Sequence, residues 1–334
     1  MDCLRAGIIG LGVGEQHAEA LAAITECKLV AVCDRDQLKL KQVASRFPGV
    51  RAVDVDRDIL DDPTIDLVCI ASYDSDHFSQ TLRALENGKH VFVEKPFVMH
   101  EQEARMVREA LRKNRQLRLS SNLILRRSPR FLDLRRRIQN GELGRLYHVE
   151  AGYNYGRLQK ITEGWRGQLD FYSAVHGGGV HVVDLLMWLT GDRIVEVSAV
   201  GNAIASEGSG FKNFDNVVAL VRFAGGAIGK VGANFGCVAP HFHSVEFYGT
   251  KATFVNGREC AWLFTSRDAN VPPVRIDTAY PGVHKGALIA GFAKAIVDRS
   301  DAEVTEEDVF AGLSVCFAIE RSVHVGSPVK VEYV

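Results

Sequence analysis

Over the first 123 residues, short and nearly unbroken apolar runs alternate with segments whose apolar residues recur every three or four positions. The runs are "LRAGIIG", "KLVAVCD", "DLVCIAS", "HVFVE" and "LRLSSNLIL"; between them lie "EQHAEALAAI", "DQLKLKQVASRF", "SDHFSQTLRALENG" and "EQEARMVREALRKN". Apolar strands separated by amphipathic helices predict an α/β domain over residues 1–123, a doubly wound parallel sheet covered on both faces. Past Arg126 the period changes. A basic helical stretch, "SPRFLDLRRRIQNGELG", precedes strands that alternate with period two: "LYHVEAGYNY", "IVEVSAVGNAI", "NVVALVRF", "AIGKVGANF", "HSVEFYG" and "ATFVNG". Glycine-containing joints at "AGGA" and "YGTKA" read as hairpin turns. Residues 124–334 are therefore expected to form an α+β domain with a large, mostly antiparallel open sheet, fronted by a helix over 182–189 and closed by two late apolar helices.

Composition narrows this little. A chain of 334 residues exceeds one core's usual size, and a formal net charge of −1 offers no global attraction to a polyanion or an acidic membrane. The seven cysteines are scattered without a CxxC pair, which fits a reducing cytoplasm. No apolar run reaches the length of a membrane span, and "MDCLRAGIIGLGVGE" lacks a basic leader, so the N-terminus is expected to belong to the fold.

The first candidate chemistry is the glycine turn in "GIIGLGVGEQHAEAL", set between an apolar strand and a helix, with an acid at the end of the second strand. That context predicts a Rossmann dinucleotide site. Gly10 permits the tight turn, Gly12 clears space for a pyrophosphate, and Val13 and Gly14 open a helix whose N–H groups face that anion. The third glycine of GxGxxG falls at Glu15, and Gly14 comes one residue early, which reads as a turn shortened by one. Asp34 stands where a carboxylate would hold the adenosine ribose hydroxyls and repel a 2′-phosphate, whereas Arg35 could pair with that phosphate; NAD(H) is favoured and NADP(H) left open.

Three stretches, "GLGVGEQH", "NGKHVFVEKP" and "GGGVHVVDLLMWLTG", make the sequence resemble the glucose-fructose oxidoreductase/inositol dehydrogenase/MocA family of NAD(P)-dependent sugar oxidoreductases over essentially its whole length. The resemblance implies that Lys95 of the EKP triplet contacts the reacting hydroxyl and the nicotinamide side, with Glu94 and Pro96 shaping the cofactor pocket. A partly desolvated ammonium beside a carbinol stabilises developing alkoxide charge and can relay a proton. Ser72, Tyr73 and His77 fall at the family's contacts after the fourth strand, usually TPNxxH but here "SYDSDH", and Asn122 at its sixth-strand asparagine.

The family's general base comes from a D-x-x-x-H pattern entering a helix, which puts His181 in the base position and Gly177 where the aspartate belongs. Imidazole titrates near neutrality, which suits the work. In "AVHGGGVHVVDLLMWL", Gly177, Gly178 and Gly179 are expected to let the main chain pass close to nicotinamide and substrate, with His176 and Asp184 facing the substrate. Tyr153, Tyr155, Trp165 and Arg166 form an aromatic and cationic mix suited to a sugar pocket wall. No metal is expected, although His241 and His243 look ligand-like. The basic cluster from Arg126 to Arg137 reads as a solvated face or a phosphate-binding edge.

Two functions follow. One is an enzyme that moves hydride between NAD(P) and a ring hydroxyl or ketone of a sugar, cyclitol or nucleotide sugar. The alternative is a non-catalytic sensor of dinucleotide or metabolite on the same fold, to which the missing aspartate points. The expected partner is a carbohydrate-like small molecule, with no nucleic acid or membrane, and the bare face of the second sheet is expected to build a homodimer or homotetramer.

Overall fold

The computed structural model describes residues 3–334. It forms two compact units, one of residues up to 124 with 284–310 and 334, the other of 125–283 and 311–333.

In the first unit, strands β1 (Leu4–Ile9), β2 (Cys27–Cys33), β3 (Arg51–Val53), β4 (Leu67–Ile70), β5 (His90–Val93) and β6 (Leu119–Ser121) make a parallel six-stranded sheet in the order β3-β2-β1-β4-β5-β6. The order reverses between β1 and β4, the point at which such sheets open a ligand crevice at their carboxyl ends. The strands are α1 (Gly14–Ala22), α2 (Gln37–Ala44), α3 (Arg57–Leu60), α4 (His77–Glu86) and α5 (Glu101–Lys113) apart. Nearly every residue of β1, β2, β4 and β5 is buried, as their unbroken apolar runs require. Asp36 caps α2 by accepting from the N–H groups of Leu38 and Lys39. The short β3 and α3 leave no such periodic trace in the sequence.

The helix Ala287–Val297 belongs to this first unit, not to the second domain in which residues 124–334 were expected. Its N-terminus lies so close to α1 that a Cβ on Gly286 would stand 2.6 Å from Ala20 Cβ, and Phe292 reaches Phe92 on β5 at 5.9 Å between ring centroids. Ser120 Oγ on β6 donates to Val304 O at 2.8 Å. An apolar face in "GALIAGFAKAIV" says that the helix is buried; it does not say under which sheet.

In the second unit, α6 (Pro129–Gln139), β7 (Leu146–Asn154), α7 (Gln159–Thr162), a wide helical turn over Val175–Gly179 and α8 (Val180–Thr190) lead into β8 (Ile194–Asn202), β9 (Asn216–Phe223), β10 (Ile228–Asn234), β11 (Phe242–Gly249), β12 (Thr253–Asn256), β13 (Ala261–Phe264), β14 (Val274–Ile276) and β15 (Val329–Lys330). The nine strands run in the order β14-β13-β12-β11-β7-β10-β9-β8-β15, antiparallel throughout except where β10 lies parallel to β7. One face is buried through Val149, Ala151 and Tyr153 of β7, Val231 and Ala233 of β10, and His243, Val245 and Phe247 of β11. The wide turn that leads into α8 covers it, since Gly178 lies against Tyr153 and Gly179 against Ala233.

Candidate active site

The turn after β1 has the shape a dinucleotide requires. Gly10 takes φ +85° and lies so close to β4 that a Cβ there would stand 2.5 Å from the Ala71 carbonyl carbon. Nothing lies within 4 Å of where a Cβ on Gly12 would be. The α1 cap, Val13, has no side-chain hydrogen bond to the first turn, so its N–H groups stay available to an anion. Gly14 starts α1 and approaches the sheet closely, its Cβ position 3.0 Å from Ile8 Cγ2. It thus does the packing work of the third glycine one residue early, and the turn is short rather than broken. Glu15 is ion-paired to Lys39 and Arg46, and the Lys39 hydrogen bond leads in holding its carboxyl below the ordinary range.

Asp34 braces this loop. Its Oδ2 accepts from Leu11 N–H at 2.6 Å and its Oδ1 from Asp36 N–H at 2.8 Å, which leaves each oxygen a lone pair for a ribose hydroxyl. Arg35 is exposed and pairs with Asp76 at 3.0 Å, so its charge is partly spent. The space at Gly12, the uncapped helix end and the braced carboxylate fit a dinucleotide without a 2′-phosphate.

Past β5, Glu94 is gripped from two sides. His17 Nε2 lies 2.9 Å from its Oε1, and Asn122 Nδ2 donates to the same oxygen at 2.7 Å. Burial opposes its ionisation, but the His17 hydrogen bond and charge, the Lys95 charge and the Asn122 hydrogen bond outweigh it and hold the carboxyl down to about 2. Asn122 Oδ1 is buried and has no hydrogen-bond partner among the described residues, which suits an amide donor of a ligand. Lys95, half-buried, follows directly. His17 was not singled out in the sequence; its signal is a polar residue on the buried face of α1, with Gly14, Ala18 and Leu21.

In the loop after β4, the His77 ring is fully buried, with Nδ1 2.7 Å from Pro96 O and Nε2 3.3 Å from Ser72 O, so it ties this loop to the EKP turn. Ser72 Oγ donates to Gln80 Oε1 at 2.6 Å, while Tyr73 is exposed.

In the second unit, Tyr153 is the hub. Its ring stacks on His181 of α8 at 5.9 Å and on Tyr155 at 5.6 Å, and meets His241 and His243 edge-on at 4.9 and 5.3 Å. Strand register explains the grouping, because His243 of β11 is paired with Tyr153 of β7. His181 is 7% exposed and its ring centroid lies 6.5 Å from that of His243. Arg166 stacks on Trp165 at 4.3 Å and lies 5.9 Å from the Tyr172 ring.

Two of the three glycines lie against aromatic rings, and Gly179 lies against Ala233 and Val175. A Cβ on Gly177 would overlap the Tyr172 hydroxyl, and one on Gly178 would stand 2.5 Å from Tyr153 Cδ1 and 3.0 Å from Phe235. Ser173 Oγ organises the turn by accepting from the N–H groups of Val175 and His176, both at 3.1 Å, while donating to Glu320. His176, expected to face substrate, is buried with its ring edge-on to Phe317 at 5.1 Å and Phe171 at 5.9 Å.

Asp184 is likewise internal. Arg126 grips it bidentately, Nε to Oδ2 at 3.0 Å and Nη2 to Oδ1 at 2.5 Å, with both side chains buried. The basic cluster is mostly consumed in this way. Arg130 is buried and donates to Thr278 O, Gly257 O, Glu259 O and Asn256 Oδ1, Arg135 stacks on Trp188 at 4.3 Å, and Arg136 and Arg137 pair with Asp133. A run of arginines gives no hint of how many turn inward.

Residues 4–122 match the model of an oxidoreductase family with an NAD-binding Rossmann fold, and residues 131–255 match the GFO/IDH/MocA C-terminal domain. The chain belongs to the GFO/IDH/MocA family. Its relatives include the myo-inositol 2-dehydrogenase of Thermotoga maritima, 25% identical over 99% of each chain, and the NAD(+)-dependent scyllo-inositol 2-dehydrogenase of Bacillus subtilis, 25% identical over 98% of this chain and 96% of that one. A levoglucosan dehydrogenase in complex with NADH shares the fold with a TM-score of 0.85 at 23% identity, covering 99% of this chain and 100% of the other. The family member is thus an NAD(P)-dependent oxidoreductase with NAD(H) favoured, and the non-catalytic sensing alternative is not favoured. Among the described residues, no helix is long and apolar enough to cross a membrane.

Proposed function

We propose that the chain interconverts a secondary ring hydroxyl of a cyclitol or sugar and the corresponding ketone. The observation that carries this reading is the EKP turn: it follows β5 of a Rossmann-order sheet, at the carboxyl ends where such sheets take ligands, and its Glu94 is clamped by His17 and Asn122. Gly12, Val13 and the start of α1 would hold the pyrophosphate, Asp34 the adenosine ribose, and Asn122 the nicotinamide side. When bound, the nicotinamide supplies the hydride acceptor or donor.

The protein's part is to hold the carbinol and move its proton. Lys95 stabilises the developing alkoxide, and His181 takes the hydroxyl proton in oxidation and returns it in reduction. Tyr153, Tyr155, Trp165 and Arg166 supply faces and donors for a polyhydroxylated ring. The test is turnover of Lys95→Ala and His181→Ala against inositols, hexoses and anhydrosugars, read by nicotinamide absorbance. Each variant is expected to lose about 10²–10⁴-fold in kcat while still binding NADH. Full turnover in Lys95→Ala would remove that residue from the mechanism.

A homo-oligomer built through the outer face of the nine-stranded sheet is part of the same proposal. Val200 and Val218 are register partners there, and with Leu220 and Ile228 they leave an apolar patch in solvent, Val200 73% and Leu220 63% exposed. Light scattering after size exclusion tests it, and a monomer would remove it. All seven cysteines are free thiols, which supports a cytoplasmic setting.

A further inference from the structure

One imidazole of the Tyr153 cluster, His243, is wired to a tyrosine. Tyr280 is in contact with His243 twice: its hydroxyl oxygen accepts from the His243 backbone N–H at 2.8 Å and lies 2.5 Å from His243 Nδ1. The oxygen already accepts one proton, and the phenol's own proton has His243 Nδ1 as its only acceptor among the described residues. The reverse arrangement, Nδ1–H donating to the phenol, would strand the phenolic proton. Asn256 Nδ2 donates to His243 O at 2.9 Å and fixes the backbone from its other side. Among the described residues, the second ring nitrogen, Nε2, has no hydrogen-bond partner, although the residue is 6% exposed.

We infer that Tyr280 locks His243 in the tautomer with its proton on Nε2, so that this ring presents a permanent hydrogen-bond donor to a substrate oxygen beside His181. Tyr280 is then a positioning residue and His243 a substrate-binding one. The inference rests on the proposed sugar or cyclitol chemistry only for the oxygen that Nε2–H meets; the tautomer stands on the hydrogen bonds alone.

The surroundings agree. The titratable and charged groups facing the pair among the described residues are His241, just before the same strand, Tyr153 of β7, His181 of α8, Arg130 of α6 at 5.3 Å from the Tyr280 ring, and Arg258. Burial first, then the His241 charge, pushes His243 down to about 3, while burial pushes Tyr280 up to about 12. Both groups therefore stay neutral across the range in which a free imidazole would titrate. A fixed donor next to a titrating base lets a hydroxyl or carbonyl oxygen be held in one orientation while His181 changes protonation state.

Long-range ¹H–¹⁵N correlation spectra of histidine-labelled protein test this without turnover, with His243 assigned through His243→Gln. The expected result is a neutral Nε2–H pattern that does not change between about pH 5 and 9. In Tyr280→Phe, the ring should become a tautomer mixture, and KM should rise about tenfold with kcat nearly kept. Because Tyr280→Phe could loosen the fold, His243→Gln and His243→Leu supply a second comparison: the amide keeps a donor and is expected to keep at least tenfold more affinity for substrate than leucine. An Nδ1–H tautomer, or titration near neutrality in the intact protein, would overturn the lock. A confirmed lock with equal KM in the Gln and Leu variants would overturn the substrate contact. Absence of any cyclitol or sugar turnover with the lock intact would instead count against the proposed function.

Discussion

The hydroxyl of Tyr172 fills the space into which a side chain at position 177 would project. The family pattern puts an aspartate four residues before the base, and here that site is sterically closed: Tyr172 is 3% exposed and its ring lies against Phe235 and Phe211. Restoring the carboxylate is therefore expected to harm. Gly177→Asp should cost about 1–3 kcal/mol in urea unfolding by overpacking and burying a charge. Combining it with Tyr172→Ala should return part of that loss, a coupling that a double-mutant cycle reads directly. Additive losses would show that the two positions do not compete for space.

Asp184 is held by Arg126 in a buried pair. Asp184→Ala should destabilise the fold by about 3–5 kcal/mol, the cost of leaving a guanidinium buried without its carboxylate. Chemical denaturation measures it. A variant with normal stability and a KM raised more than tenfold would return Asp184 to the substrate site.

Glu94 gives a pH prediction of definite sign. Its carboxyl is held at about 2 in the folded chain against an ordinary 4.5, so the ionised form is what the fold stabilises. That stability is fully present above the unfolded value and is lost as pH falls through the folded one. The unfolding midpoints of the native chain and Glu94→Gln should therefore differ most above about pH 4.5 and converge toward pH 2. A gap that widens on acidification would reverse the assignment.

Cofactor choice depends on Asp34 and on the Arg35–Asp76 pair. Asp34→Ser should weaken NADH binding about tenfold, one lost hydroxyl contact and a looser loop, and narrow the preference over NADPH. Adding Asp76→Ala frees the Arg35 guanidinium and should raise NADPH affinity further. Fluorescence titration with both cofactors reads each step, and an unchanged NADH affinity in Asp34→Ser would remove the ribose contact.

The two kinds of hydrophobic period disclosed the two sheets, because a covered parallel strand and a half-covered antiparallel one leave different traces at Leu67–Ile70 and Asn216–Phe223. Short elements such as Arg51–Val53 and Val274–Ile276, three residues each, are too brief to show a period. The nucleotide turn and the EKP triplet were legible because both are local motifs. What the sequence hid is long-range: that Asp184 meets Arg126 across 58 positions, that Arg130 turns inward, and that Tyr172 and Tyr153 press on Gly177 and Gly178. His17 and Tyr280 escaped notice for the same reason, since each matters through a partner on a distant strand or loop.

The claim on which all of this depends is that the first unit carries a nicotinamide dinucleotide. Isothermal titration of the folded protein with NADH and with NADPH tests it most directly. One NADH bound per chain, with NADPH weaker, is the result this account requires; heat from neither cofactor, in protein shown to be folded, would contradict it.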